Sequence, residues 1–328
     1  MTVLLGVDTG GTYTDAVLVE DDETVLASAK SLTTRNDLAQ GIGASVAVVV
    51  ERAGIDPASI AMAALSTTLA TNALVEGHGG RVALVYIGFN KKDLATHGLT
   101  DALAGDPSIV LDGGHTHAGV EAAPLDCAAL SVWIASLVGV SAFAVASQFG
   151  TRNPEHELKA AEIIRAATGA PVSCSHHLSA KLNGPKRALT ALLNARLIGM
   201  IDRLIGRAQD ALIASGVNAP LMVVRGDGAL ISAAMARERP IETILSGPAA
   251  SIVGARWLTG AEHALVSDIG GTTTDVAVLR NGRPAIDSAG AQVGPYRTMV
   301  EAVAMRTSGL GGDSEVHFIA EGLKSGVT

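Results

Sequence analysis

Aromatic residues are scarce: two Trp, three Tyr and four Phe, 3% of the chain, although 48% of it is hydrophobic. The apolar content is therefore mostly Ala, Val, Leu and Ile, which suits tightly packed α/β layers and argues against an aromatic-rich β-sandwich. Only two cysteines occur, Cys127 and Cys174. They exclude a disulfide framework and a cysteine-based metal site, and they fit a reducing, cytoplasmic setting. No run of basic residues exists and the net charge is −8, so nucleic acid is not an expected partner. The N-terminus enters a strand pattern at once, without the basic and small-residue flanks of a signal peptide. Residues 127–151 carry no charge, long enough to span a bilayer, but serines, Gly139 and Gln148 interrupt the stretch. It reads as a helix over 128–138, a glycine turn and a buried strand over 142–146, so no membrane partner is expected.

At 328 residues the chain has room for two cores. Strand patterns cover 3–8, 13–20 and 24–30 around a glycine turn at 9–12. A helix follows over 37–53, closed by Gly54, then a strand over 60–66. Helix and strand patterns go on alternating. Pro154 near the first turn and Gly169 past the last bracket a helix over 153–168. The longest helical stripe spans 186–214, with Leu189, Leu192, Leu193, Leu197, Ile201 and Leu204 at spacings of three and four. It is expected to cross between domains, giving domains 1–218 and 219–328. A strand at 221–224 and a second meander, 264–268, 274–279 and 283–289, follow.

The two meanders share one pattern. Asp8-Thr9-Gly10-Gly11-Thr12-Tyr13-Thr14-Asp15 and Asp268-Ile269-Gly270-Gly271-Thr272-Thr273-Thr274-Asp275 both spell D-x-G-G-T-x-T-D between apolar strands. Paired glycines allow positive φ and let backbone N–H groups approach a phosphate, and threonine hydroxyls add donors. An Asp ending the incoming strand suits Mg2+, held largely through its waters. A carboxylate at Asp15 or Asp275, on the outgoing strand, is placed to bond the turn's own N–H groups. A Walker loop or a dinucleotide fingerprint would open a helix, whereas a strand follows both turns here. One such turn is equally a plain hairpin. Two matched copies point to paired grips on a polyphosphate.

These turns resemble the two phosphate motifs of the actin–hexokinase–Hsp70 superfamily. Further segments narrow the resemblance to the hydantoinase A/5-oxoprolinase family. They are Leu65-Ser66-Thr67-Thr68-Leu69-Ala70-Thr71-Asn72, Asn153-Pro154-Glu155-His156-Glu157, Ser175-His176-His177-Leu178-Ser179, Arg225-Gly226-Asp227-Gly228, Leu245-Ser246-Gly247-Pro248 and Gly309-Leu310-Gly311-Gly312-Asp313-Ser314. The resemblance implies a two-domain, ribonuclease H-like α/β fold and ATP with Mg2+ or Mn2+. It also implies ATP-dependent ring opening of cyclic amides such as hydantoins or 5-oxoproline, or a ketone-activating relative, beside a hydantoinase B-like subunit. Asp8 and Asp268 would be the catalytic and metal-holding residues. Thr9, Gly10, Gly11, Thr12, Thr14, Gly270, Gly271, Thr272, Thr273, Gly311 and Gly312 would hold ATP. Two features depart from the family. Its His-Gly-Thr-Thr is Leu65-Ser66-Thr67-Thr68 here, and only about 50 residues follow the second turn, so the second domain is expected to be incomplete.

Thr67, Thr68 and Asn72 are either substrate donors in the cleft or a strand-to-helix cap. His115 and His117, in a glycine-rich loop beside Asp112, are either a zinc or manganese pair or surface histidines, and His176-His177 raises the same question. Ser246 lacks the surroundings of a nucleophile elbow and reads as a helix start. A nucleotide-dependent switch and another small-molecule kinase remain alternative functions.

Overall fold

The computed structural model describes residues 2–34, 37–271, 273–319 and 322–326. The chain opens with the expected antiparallel meander, β1 (Val3–Thr9), β2 (Tyr13–Glu20) and β3 (Thr24–Leu32). Along β1 buried and half-buried residues alternate, as one core-facing side of a strand requires. Helix α1 (Leu38–Ala53) ends at Gly54, whose φ of 63° is a left-handed cap that glycine adopts without strain. Next, β4 (Ile60–Thr67) runs parallel to β1, with Asp8 opposite Ser66 and Thr9 opposite Thr67.

Past the short helix α2 (Leu69–Val75) the chain builds a parallel sheet. In chain order it contributes β5 (Val82–Ile87), α3 (Leu99–Leu103), β6 (Ser108–Leu111), α4 (Cys127–Ser136), β7 (Ala142–Ser147), α5 (Glu155–Thr168) and β8 (Val172–Cys174). The strands lie in the order β6-β5-β7-β8. Every residue of β5 and β7 is buried. Val82, Leu84 and Tyr86 join the main core, while Ala83, Val85 and Ile87 join a second core under α4 and α5. Cover on both faces explains their unbroken apolar runs. The charge-free stretch is thus α4 and β7, and among the described residues no helix is long and apolar enough to cross a membrane.

Helix α6 (Gly184–Ala214) has 31 residues and lies against β7 and α1. At 1.5 Å per residue it is about 46 Å long. The strand after it, β9 (Leu221–Val224), pairs parallel with β4 and is followed by β10 (Leu230–Ser232). The first sheet therefore has six strands, β10-β9-β4-β1-β2-β3. α6 returns the chain to its first sheet, where β9 fills the free edge of β4. The division expected at 218/219 lies within this connection.

Helices α7 (Ala233–Glu238) and α8 (Ser246–Thr259) lead to the second meander. There β11 (Ala264–Ile269) pairs antiparallel with β12 (Thr274–Arg280). The third strand expected over 283–289 is only β13 (Arg283–Pro284). After the small hairpin β14 (Gln292–Val293) and β15 (Tyr296–Arg297), β16 (Met305–Ser308) takes the rest of that edge of β12, along residues 274–277. A last hairpin joins β17 (Glu315–Ile319) to β18 (Gly322–Gly326). One side of α8 touches β4 and β9 and another touches β11–β13, so this helix is the layer shared by the two meander sheets.

Candidate active site

The two glycine turns are built alike. Asp8 stands opposite Asp15 and Asp268 opposite Asp275. The Gly10 N–H donates to Tyr13 O at 3.0 Å, and the Gly270 N–H to Thr273 O at 2.9 Å. These bonds consume one N–H per turn, whereas Gly11 and Gly271 make none of this kind among the described residues. None of the four glycines has a φ in the left-handed region, contrary to the conformational reason expected for them. What they supply is close approach. A Cβ on Gly10 would sit 3.2 Å from Tyr13 O and one on Gly271 3.4 Å from Asp313 Oδ2, while Gly11 faces open space. The loop of Gly311 and Gly312 is tied to the second turn, with Gly312 N donating to Gly270 O at 2.9 Å and Asp313 N to Gly271 O at 2.8 Å.

Asp8 is the electrostatic centre. Burial raises its pKa above the usual aspartate range; a 2.5 Å hydrogen bond from Ser66 Oγ opposes the rise, and the carboxylates of Asp15 and Asp268 add to it. The charge of Asp268 thus reaches Asp8. Mutual repulsion of these carboxylates is relieved by a nearby cation, but Asp8, Asp15 and Asp268 do not gather their oxygens closely enough to form a direct ligand cluster among the described residues, so they fit a cation held through its waters. Among the described residues neither outgoing aspartate bonds its turn's N–H groups, contrary to expectation. Asp15 pairs with Lys30 at 3.3 Å, and Asp275 accepts from Thr307 Oγ1 at 2.5 Å. β2 and β12 lie between other strands, so each finds a partner on the neighbouring strand.

Strand alternation sends Thr9 and Asp8 to opposite sides of β1. Asp8 faces a hollow of about 520 Å³ with Asp15, Lys30, Ser66 and Ala250 on its walls. Thr9 enters a pocket of about 260 Å³, which it lines with Gly10, Gly11, Thr67, Thr68 and Asn72. The first turn and all three tentative substrate residues therefore meet in one cavity. The Thr9 hydroxyl is buried behind the pocket wall and lacks a hydrogen-bond partner among the described residues. The Thr67 hydroxyl, one residue before the capping position of α2, accepts from Leu69 N at 3.1 Å. That of Thr68 accepts from Asn72 Nδ2 at 3.4 Å. Ser246 is buried as a brace: its Oγ donates to Thr67 O at 2.9 Å and accepts from Thr67 N at 3.2 Å, docking the start of α8 on the end of β4.

Thr14 is fully buried and shares a 3.0 Å hydrogen bond with Thr33, which lines the pocket in its place. Thr12 and Thr273 are exposed on their turns, and Thr272 lies outside the described residues. Neither His115 with His117 nor His176 with His177 gathers a metal-ligand cluster with the other among the described residues. His115 is buried against the His156 ring, 4.5 Å between centroids, while His117 is exposed. Burial, with His156 beside it, lowers the His115 pKa. His176 donates to Glu157 Oε2, from its backbone at 3.0 Å and through Nδ1 at 2.7 Å.

Glu157 itself was missed as a key residue. Fully buried, it also accepts from Ser147 N at 2.8 Å and Ser175 Oγ at 2.6 Å. Burial works to raise its pKa, but the His176 and Ser175 hydrogen bonds outweigh it and hold the carboxyl below the normal range. Buried Arg187 closes the network on Ser147 O at 2.9 Å. Cys174, close enough to Glu157 and His176 to suggest a metal, has a thiol that burial pushes up to about 12. With the glutamate oxygens occupied and the thiol protonated, the cluster is a structural knot joining two of the sequence motifs.

Residues 4–168 match the N-terminal region of the hydantoinase/oxoprolinase family, and 187–327 match its hydantoinase/oxoprolinase region. Caprolactamase subunit alpha of Pseudomonas jessenii is 28% identical over 95% of this chain and 48% of its own length. The acetophenone carboxylase gamma subunit of Aromatoleum aromaticum is 27% identical over 94% of this chain and 46% of its own. The crystal structure of the ATP-dependent caprolactamase from Pseudomonas jessenii superposes with a TM-score of 0.78 at 26% identity, covering 97% of this chain and 49% of that one. The chain thus spans about half the length of the curated relatives it matches, and it shares their α/β fold. It belongs to the hydantoinase/oxoprolinase family.

Proposed function

We propose that this chain carries phosphate-binding machinery of an ATP-dependent enzyme that activates the carbonyl of a small cyclic amide, such as a hydantoin, 5-oxoproline or a lactam, for ring opening. The observation behind this reading is Asp8, set by Ser66 beside matched glycine turns with the charge of Asp268 in reach. Relatives named for ATP-dependent lactam hydrolysis and for ketone carboxylation support it, since both substrate classes present an electrophilic carbonyl. When bound, ATP with Mg2+ or Mn2+ supplies the phosphoryl group and neutralises its charge. Asp8 and Asp268 would orient the cation through its waters. The Gly11 and Gly271 N–H groups would take phosphate oxygens, and Thr68 with Asn72 would position the substrate carbonyl. Catalysis here is positioning and charge neutralisation rather than covalent chemistry by the protein. We assign a hydantoinase B-like subunit as partner.

ATP turnover, measured with that partner across a panel of hydantoins, 5-oxoproline, caprolactam and sugars, tests the reading. Stimulation by a cyclic amide supports it. Turnover stimulated by a sugar alone would replace it with a kinase.

A further inference from the structure

Helix α2 turns one polar side toward the pocket of the first glycine turn. Thr68, Asn72 and Glu76, each four residues from the next, all line that cavity, while Ala70, Ala73 and Leu74 are buried on the other side. The Thr68 end lies at the turn, with Thr68 N donating to Thr9 O at 3.3 Å. Glu76 stands at the far end, paired with His78 Nδ1 at 3.1 Å. Leu38 and Leu69 give the cavity apolar walls. At about 260 Å³ it is smaller than the roughly 300–1,000 Å³ of pockets that take drug-sized ligands, so it suits a small ring.

Between these two ends stands a carboxamide with hydrogen-bonding capacity to spare. Asn72 Nδ2 reaches Thr68 Oγ1 at 3.4 Å, longer than the roughly 2.7–3.2 Å of a well-made bond. That contact uses one of the two Nδ2 hydrogens, and Oδ1 has no partner among the described residues. A donor and an acceptor on one carboxamide edge complement a cis secondary amide, which presents its C=O and N–H on the same side. A small ring forces its amide cis, whereas an open-chain amide is trans and turns the two groups opposite ways. We propose that Asn72 pairs with both groups at once, Nδ2 donating to the ring carbonyl and Oδ1 accepting from the ring N–H. The pairing rests on the cyclic-amide reading above and narrows the substrate to rings whose amide nitrogen is unsubstituted. Because Nδ2 lies on the Thr68 side, the carbonyl is directed toward the glycine turn and the N–H toward Glu76. Ketones, esters and open-chain amides can satisfy only one half of the edge.

The test is ATP turnover in the partnered assembly with 2-pyrrolidone, 5-oxoproline and caprolactam, each beside its N-methyl derivative. Wild type should favour the N–H form by about tenfold or more in kcat/KM. Asn72→Leu, similar in size but without the polar edge, should cut that preference by about tenfold. Differences in ring reactivity, and crowding of the methyl group elsewhere, are common to both proteins and cancel in the comparison. Asn72→Asp keeps the acceptor and loses the donor, so it should slow both forms and retain the preference for N–H. Asn72 is exposed, and the melting temperature of each variant should match wild type. If Asn72→Leu does not fold, Asn72→Ala carries the same comparison. Equal use of both forms by wild type, an undiminished preference in Asn72→Leu, or its loss in Asn72→Asp would overturn the pairing and leave the cyclic-amide reading standing. No stimulation by any ring would overturn that reading and the pairing with it.

Discussion

The hydroxyl of Ser66 donates a 2.5 Å hydrogen bond to Asp8 Oδ1, joining β4 to β1 where the first glycine turn begins. The bond stabilises the charged form of a carboxyl that burial and two neighbouring carboxylates push toward neutrality. Ser66→Ala should therefore raise the Asp8 pKa further. The acid limb of the pH–turnover profile should move upward by about a pH unit or less, with little loss at the alkaline side. An unmoved acid limb would separate Ser66 from the ionisation of Asp8.

The Glu157 knot predicts a stability effect. Glu157→Ala leaves the N–H groups of Ser147 and His176 and the hydroxyl of Ser175 without their acceptor in the core, and buried Arg187 without its neighbouring countercharge. It should cost about 3–5 kcal/mol in urea unfolding. A carboxyl held below its ordinary value adds stability that is full above that value and is lost as pH falls through the folded one. The gap between wild type and variant should therefore narrow in acid below about 4.5.

His115 predicts a pH dependence in a higher window. Its lowered pKa means the folded chain binds fewer protons than the unfolded chain once pH drops below the ordinary value of 6.5. Stability is then full above 6.5 and falls on acidification through that value. His115→Phe keeps a ring against His156 and removes two unpartnered nitrogens. It should change stability at pH 7.5 by about 1 kcal/mol or less and flatten the decline toward pH 5. Thermal melts at the two pH values check it; an equal decline in both proteins would contradict the assignment.

Much of this architecture was legible because it is local. The D-x-G-G-T-x-T-D repeat, the strands around it, the helix closed by Gly54 and the helix-plus-strand reading of 127–151 depend on neighbouring residues. What escaped depends on distant pairing. Ser66 meets Asp8 only because β4 lies parallel to β1, a register 58 residues apart that no local pattern encodes. Thr307 reaches Asp275 across another non-local strand pair, 32 residues apart, and β9 joins β4 after a 31-residue helix. Glu157 was visible only as the acidic end of a motif, and its burial follows from how α5, β7 and α6 pack. The glycines were read for turn conformation, whereas none takes a left-handed φ and a tight approach, to Tyr13 O, accounts only for Gly10.

The central claim is that Asp8 serves ligand chemistry at the expense of the free protein's stability. Its raised pKa contributes stability that is full below the ordinary aspartate value and is lost as pH rises through the folded value. At neutral pH the free carboxylate is therefore a cost. Asp8→Asn keeps the size and can still accept from Ser66, while removing that charge. ATP turnover and melting temperature, measured together on wild type and Asp8→Asn in the partnered assembly, test this directly. The account predicts a loss of turnover of about a hundredfold or more with a melting temperature unchanged or slightly raised. Full turnover in Asp8→Asn would contradict it and remove the paired-turn site from the mechanism.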